Sequence, residues 1–328
     1  MSLLQHHDAL FFDLDGTVWE GGRALPMAVE AFEKNTLPVA FITNNASRGP
    51  SAVAEMLQKI GIAARPEDVL TSAQAAIDLA AEYLQPGDTV YVLGTDSFKD
   101  LARSAGYTVA VSADEKPRAV FHGHNPETGW AELSEAAMSI RNGARYFASN
   151  LDSTLPTERG LCVGNGSMVA LLIVNATGVH PVSAGKPGAA MFNVAAQRLG
   201  VSAPLAIGDR LNTDIAGGVA ADMATLHVMT GVSRHWDLLR AIPSERPTYL
   251  GLNLSDLFAS PNKLLPGSQG DFHAEWCGND IELSGGTSAA TPMEALRTVA
   301  GIAWEHEAWT GKLLTRGEHA ERVLRDWE

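Results

Sequence analysis

Two carboxylates alternate in Asp13-Leu14-Asp15, directly behind the apolar run Ala9-Leu10-Phe11-Phe12 and ahead of Gly16 and Thr17. In extended chain, residues two apart point to the same side. Asp13 and Asp15 can therefore converge at the carboxyl end of a buried strand, where Gly16 permits a sharp exit. A carboxylate is costly to desolvate without a partner. The economical partner is a divalent cation, and oxygen-rich ligation suits magnesium. An Asx-type turn closing the strand explains the same residues without any chemistry.

Three later stretches bear on the choice. Thr43-Asn44-Asn45 follows Pro38-Val39-Ala40-Phe41-Ile42. The Thr43 hydroxyl and the N–H groups of Asn44 and Asn45 are donors of the kind that bind phosphate oxygens, although the same residues make an ordinary turn. Lys186 lies just before a helical pattern. The helix dipole prefers an anion there, so either Lys186 is a solvated surface residue or it and the helix end face a bound anion. Gly208-Asp209 follows the apolar run 204–207, with Asp214 five residues on. Asp214 reads as a helix N-cap or as a second acid near Asp209. The crevice outside the carboxyl ends of parallel strands is where open α/β sheets bind ligands.

The elements that must position these residues alternate strand and helix. Strands are expected over 8–13, 38–43 and 69–71, and helices over 27–32, 51–60 and 72–84. After the turn Gln85-Pro86-Gly87-Asp88, a second unit repeats the grammar. Its strands are expected at 89–93, 119–122 and 145–149, and its helices at 98–105, 130–141 and 167–177. The first grammar resumes with a helix over 188–199, strands over 204–207 and 224–229, and a helix over 215–221. Such alternation implies α/β architecture: a Rossmann-like parallel-sheet core covered on both faces. Residues 260–270 read as a linker by composition. Beyond them come short strands over 272–276 and 281–283, a capping box at Thr291-Pro292-Met293-Glu294, and a charged helix over 318–327.

The 328 residues bound the chain to about two domains. A net charge of -14 argues against nucleic acid or an anionic membrane as partner. It also requires local cations if the substrate is an anion. Two distant cysteines, Cys162 and Cys277, suggest no disulfide framework and fit a reducing cytoplasm. The N-terminus shows no signal peptide, and the longest apolar run is too short to span a bilayer.

Taken together, Asp-Leu-Asp-Gly-Thr at 13–17, Thr-Asn-Asn at 43–45, Gly185-Lys186 and Gly-Asp-Arg-Leu-Asn-Thr-Asp at 208–214 resemble the four motifs of the haloacid dehalogenase superfamily. The resemblance spans about residues 8–258. It implies a magnesium-dependent phosphomonoesterase. Asp13 would be the nucleophile and a metal ligand. Asp15 would be the general acid and base and would ligate the metal through its backbone carbonyl. Asp209 would be the remaining protein ligand, with Asp214 behind it. Thr43, Asn44, Asn45 and Lys186 would hold the phosphoryl group.

The placement of residues 79–180 between the second and third motifs resembles the type-two cap of subclass IIA. So do Ser149-Asn150-Leu151-Asp152, Pro156 and Gly164-Asn165-Gly166-Ser167. The division implied is a core of 1–78 with 181–258, a cap of 79–180, and a linker with C-terminal extension over 259–328. The cap would supply the substrate contacts, with 152–156 as the first choice and His122, His124 and Asn125 behind it. Leu155, where a pyridoxal-type relative would carry His, counts against pyridoxal phosphate. The layout, extension included, is similar to that of actinobacterial glycerol 3-phosphate phosphatases, so a small polyol ester is expected. Other small esters, and a sensor role for the extension, are the alternatives. The expected partner is a small-molecule phosphate ester, with no nucleic acid or membrane. Packing, a homodimer and ligand sensing stay open for the extension.

Overall fold

The computed structural model describes residues 2–157 and 159–327. The side chain of Pro156, at the end of the expected specificity loop, lies outside the described residues. The chain forms two compact units, Met1–Val39 with Leu199–Glu328, and Ala40–Arg198.

In the first unit the strands Tyr249–Gly251, Ala224–Val228, Pro204–Gly208 and Ala9–Phe12 lie side by side in that order, all parallel. Every residue of Ala9–Phe12 and Pro204–Gly208 is buried, as expected for strands covered on both faces. Phe12 is in register with Ile207. Asp13 and Asp209 therefore both emerge at the carboxyl ends of neighbouring strands.

The C-terminal extension builds a three-stranded sheet. Phe272–Cys277 runs antiparallel to Asp280–Gly285, which is parallel to Leu313–Arg316. Helix Pro292–Ala303 opens with the expected capping box: Thr291 Oγ1 accepts from the Glu294 N–H, and Glu294 Oε2 accepts from the Thr291 N–H. The extension shares its core with the elements before it. Leu283, Leu296, Val299, Ala300 and Val323 belong to the same apolar cluster as Leu211, Ile215, Leu238, Leu239 and Leu250. The stretch whose composition reads as a linker is held down. Leu264 is buried, its carbonyl accepts from the Leu250 N–H, and the Gly267 N–H donates to Arg297 O.

In the second unit Val39–Thr43 pairs in parallel with Val69–Thr71. A separate five-stranded parallel sheet has the order Val182–Ser183, Arg145–Ala148, Ala119–His122, Thr89–Leu93, Thr108–Ala110. Several local expectations shift, and the helix expected over 72–84 ends at Ala80. The helix expected from residue 188 is Ala190–Leu199, because the Gly188 N–H first closes a turn onto Gly185 O at 3.1 Å. The helix expected over 167–177 begins at Asn165 and carries a π segment over Val169–Val174. Thr154–Thr157 and Gly160–Val163 form an antiparallel hairpin that alternation did not foresee.

His122 closes its strand inside the unit. It is 2% exposed, with Nδ1 2.8 Å from the Tyr146 hydroxyl. Burial pushes its pKa down to about 3. Between that value and the unperturbed 6.5, the unfolded chain takes up a proton that the folded chain refuses, so stability falls as pH falls. From pH 7 to pH 5 this one group removes about 2 kcal/mol. Unfolding titrations should show the loss, and His122→Gln should flatten the slope between those pH values.

Candidate active site

Asp13, Asp209 and Asp214 bring carboxylate oxygens within 4.8 Å of one another. Asp209 and Asp214 are buried, and Asp13 is half-buried. The backbone fixes each one. The Asp13 N–H donates to Ile207 O at 2.9 Å, which continues the strand pairing. Asp214 is no N-cap. It lies in a π turn, Leu211–Ile215, and its Oδ2 accepts from the Arg210 N–H at 3.1 Å. Such turns recur at functional sites. Three carboxylates at this spacing repel one another by about 3 kcal/mol per pair at an effective dielectric of about 20. An all-oxygen set of this charge fits a hard divalent cation, so the residues suit the metal that the motifs imply.

The Asp15 side chain stands outside this cluster and is exposed. Its Oδ1 accepts from Trp19 Nε1 at 2.8 Å. The turn that arranges this is tight: the Gly16 N–H donates to Trp19 O, and the Trp19 N–H donates to Leu14 O. Gly16 has φ +88°, and a Cβ there would sit 2.6 Å from Asp209 Oδ2. The first motif thus leaves room for the Asp209 carboxylate of the fourth.

Asp209 has a cradle that no motif announced. The Val232 N–H donates to its Oδ2 at 2.6 Å, and Thr17 Oγ1 reaches Oδ1 at 3.4 Å. Its carbonyl accepts from the Ser233 N–H at 3.1 Å and lies 3.0 Å from His227 Nε2. Thr230 Oγ1 donates to Gly16 O at 2.6 Å, and Ser233 Oγ accepts from the Leu211 N–H. Residues 229–234 are a strap across both acidic loops. Gly231 has no space for a side chain, since a Cβ would come 1.9 Å from Asp209 Oδ2. Gly231→Ala must displace the strap or the carboxylate. A fall of about a hundred-fold in kcat/KM is expected, the upper range for groups that orient metal ligands, with folding verified by circular dichroism.

The second unit carries Lys186 and the Thr-Asn-Asn turn. Lys186 is 3% exposed, and its Nζ donates to Ile42 O at 3.1 Å. The solvated-surface reading of this lysine therefore fails. Thr43 is buried, and its Oγ1 accepts from the Asn45 N–H at 3.1 Å. Asn44 is a structural hub. Its Oδ1 accepts from the Lys186 N–H, and its Nδ2 donates to Lys186 O and to both Asp152 oxygens. Its carbonyl accepts from Ser72 Oγ and Asn150 Nδ2. Thr43, Asn44 and Lys186, distant in sequence, are thus one constellation. Asp152 at the head of the expected specificity loop is tied to it, whereas His122 is interior.

A parallel sheet with acid groups at the carboxyl ends of adjacent strands is an α/β scaffold of the kind that binds ligands at those ends. A haloacid dehalogenase-like hydrolase model matches residues 10–108, and a second HAD-like hydrolase model matches residues 183–257. The chain is 40% identical over 313 residues to the D-glycerol 3-phosphate phosphatase of Mycobacterium tuberculosis, covering 94% of this chain and 88% of that protein. It is 33% identical over 266 residues to the acid sugar phosphatase of Staphylococcus epidermidis, 79% of this chain and all of that protein. The crystal structure of the glycerol phosphate phosphatase of Mycobacterium tuberculosis in complex with magnesium superposes with a TM-score of 0.95 at 39% identity, over all of this chain and 99% of that one. The chain belongs to the haloacid dehalogenase-like hydrolases. Among the described residues, no helix is long and apolar enough to cross a membrane.

Proposed function

We propose that the protein is a magnesium-dependent phosphomonoester hydrolase whose preferred substrate is glycerol 3-phosphate. The observation that carries the reading is the clustering of Asp13, Asp209 and Asp214 within 4.8 Å. The likeness to the D-glycerol 3-phosphate phosphatase over 94% of the chain supports the substrate. The likeness to an acid sugar phosphatase keeps other small esters as the second reading.

Asp13, Asp209 and the Asp15 carbonyl would hold magnesium, with Asp214 beside them. Bound there, the ion would offset charge on the phosphoryl oxygens and ease the approach of a carboxylate to a dianion. An Asp13 oxygen attacks phosphorus, and the bond to the glycerol oxygen breaks. Asp15 gives its proton to the departing alkoxide. It then takes a proton from the water that attacks the aspartyl-phosphate, which frees phosphate and restores Asp13. Trp19 engages Asp15 Oδ1, so Oδ2 is the oxygen that carries the proton. Lys186, Thr43 and the N–H groups of the Thr-Asn-Asn turn hold the transferring group. Lys186, with magnesium when bound, would supply the local positive field that a chain of net charge -14 otherwise lacks.

Residues 79–180 act as the cap that excludes water and selects the alcohol, on a core of 1–78 and 181–258. The partner is a small phosphate ester in the cytoplasm, with neither nucleic acid nor membrane involved, and a homodimer is the assembly to test. The deciding experiment is a panel of phosphate esters measured as kcat/KM with magnesium. Glycerol 3-phosphate should lead. A higher value for a sugar phosphate or phosphoglycolate moves the assignment to that ester, and no hydrolysis of any member sinks it.

A further inference from the structure

We infer that the C-terminal extension is a positioning device for the metal ligand Asp209, acting through the 229–234 strap. The inference rests on the metal-site reading above. The strap holds Asp209 by the Val232 and Ser233 N–H groups and holds the first acidic loop by Thr230. Backbone donors of this kind orient a carboxylate only as well as the strap itself is fixed.

Both ends of the strap are fastened to elements that the extension grips. At its start, the Met229 N–H donates to Gly251 O at 3.1 Å. Gly251 ends the edge strand Tyr249–Gly251, and Arg297 of the extension donates to Leu250 O through Nε at 2.9 Å and Nη2 at 2.6 Å. Arg297 is 7% exposed; a guanidinium so buried needs acceptors, and this carbonyl is its main one. At its end, the strap runs straight into the five-residue helix His235–Leu239. A helix this short has no stability of its own. The extension supports it at three points. Trp304 Nε1 donates to Leu238 O at 2.9 Å. Trp327 stacks on His235 at 5.0 Å and meets Trp236 edge-on at 6.1 Å. Leu238 and Leu239 are at most 1% exposed in the shared apolar cluster.

A purely structural extension would stabilise the protein without setting the affinity of the metal site. Matched indole variants separate the two. Trp304→Phe removes the N–H that grips Leu238 O and keeps an aromatic ring in place. Trp309→Phe removes a comparable N–H whose bond, to Asn279 O at 3.0 Å, joins two residues of the extension and neither the strap nor the helix after it. Thr230→Val removes the strap's hold on Gly16. Magnesium binding to each full-length variant is measured by titration calorimetry without substrate, at a temperature where circular dichroism shows the fold intact.

Trp304→Phe and Thr230→Val should weaken magnesium binding about ten-fold, the lower range for loss of a group that orients metal ligands. Trp309→Phe should stay within about two-fold of wild type. Wild-type affinity in Trp304→Phe overturns the inference, as does an equal weakening in Trp309→Phe. In both cases the site reading survives. Wild-type protein that neither binds magnesium nor hydrolyses phosphate esters would sink the reading and the inference together.

Discussion

Asp13→Asn should fold and should not turn over. The amide keeps the size of the carboxylate but has no nucleophilic oxygen, and it withdraws one charge from the ligand set. Losing a nucleophile typically costs a factor of about 10⁴ to 10⁶ in kcat. The fold should tolerate the change well. Asp13 lies one residue past a strand that is buried throughout, and its backbone N–H, which donates to Ile207 O, is untouched. Removing one of three clustered carboxylates also relieves repulsion in the metal-free protein. Its melting temperature without magnesium should therefore equal or exceed that of wild type. Full activity in the variant would remove Asp13 from the mechanism.

Withdrawal of magnesium should be nearly as severe. With chelator present, the acids of the cluster repel both one another and the incoming dianion. Electrostatic stabilisation of a transferring phosphoryl group is the dominant catalytic term in this chemistry. A fall in kcat/KM of at least about 10³ is expected, restored by added magnesium. The same ion should raise the melting temperature, because binding to the folded state alone stabilises by about 2.7 kcal/mol at a hundred times Kd. Asp209→Asn should shrink this thermal shift and weaken the metal by about ten- to a hundred-fold. A melting temperature indifferent to magnesium in wild type, with activity intact in chelator, would contradict a metal-dependent site.

The acidic half of the site was legible because it breaks a rule. Buried strands do not end in carboxylates for stability, so Asp13 and Asp209 stood out behind runs that are buried in the fold. Lys186 was ambiguous alone and is resolved by its 3% exposure. The strap was invisible for a different reason. It holds Asp209 largely through the N–H groups of Val232 and Ser233, which almost any sequence supplies. Only Gly231 left a trace, and a single glycine after a strand reads as a turn. The motif points to the backbone donor of Asn44, whereas its side chain is the part that joins Lys186 to Asp152.

The alternating elements were legible from hydrophobic periodicity, and their departures are local. The hairpin Thr154–Thr157 with Gly160–Val163 is short, and its alternation is broken by Pro156. The extension was legible as elements and opaque as a partner. Its amphipathic helix Pro292–Ala303 looks like any surface helix that covers its own sheet. Nothing in the residue order says that Leu296 and Val299 share a core with Leu238 and Leu239. Arg297 and Trp304 reach backbone carbonyls of Leu250 and Leu238, and carbonyls carry no sequence signature.

The most direct measurement is chemical trapping of the phosphorylated residue. Protein turning over glycerol 3-phosphate with magnesium is quenched in acid and reduced with borohydride, which converts an acyl phosphate to an alcohol. Peptides are then mapped by mass spectrometry. The expected result is reduction at Asp13, absent without substrate and absent from Asp13→Asn. Steady turnover with Asp13 unmodified, or a trapped group on a different carboxylate, would contradict the assignment of Asp13 as the residue that accepts the phosphoryl group.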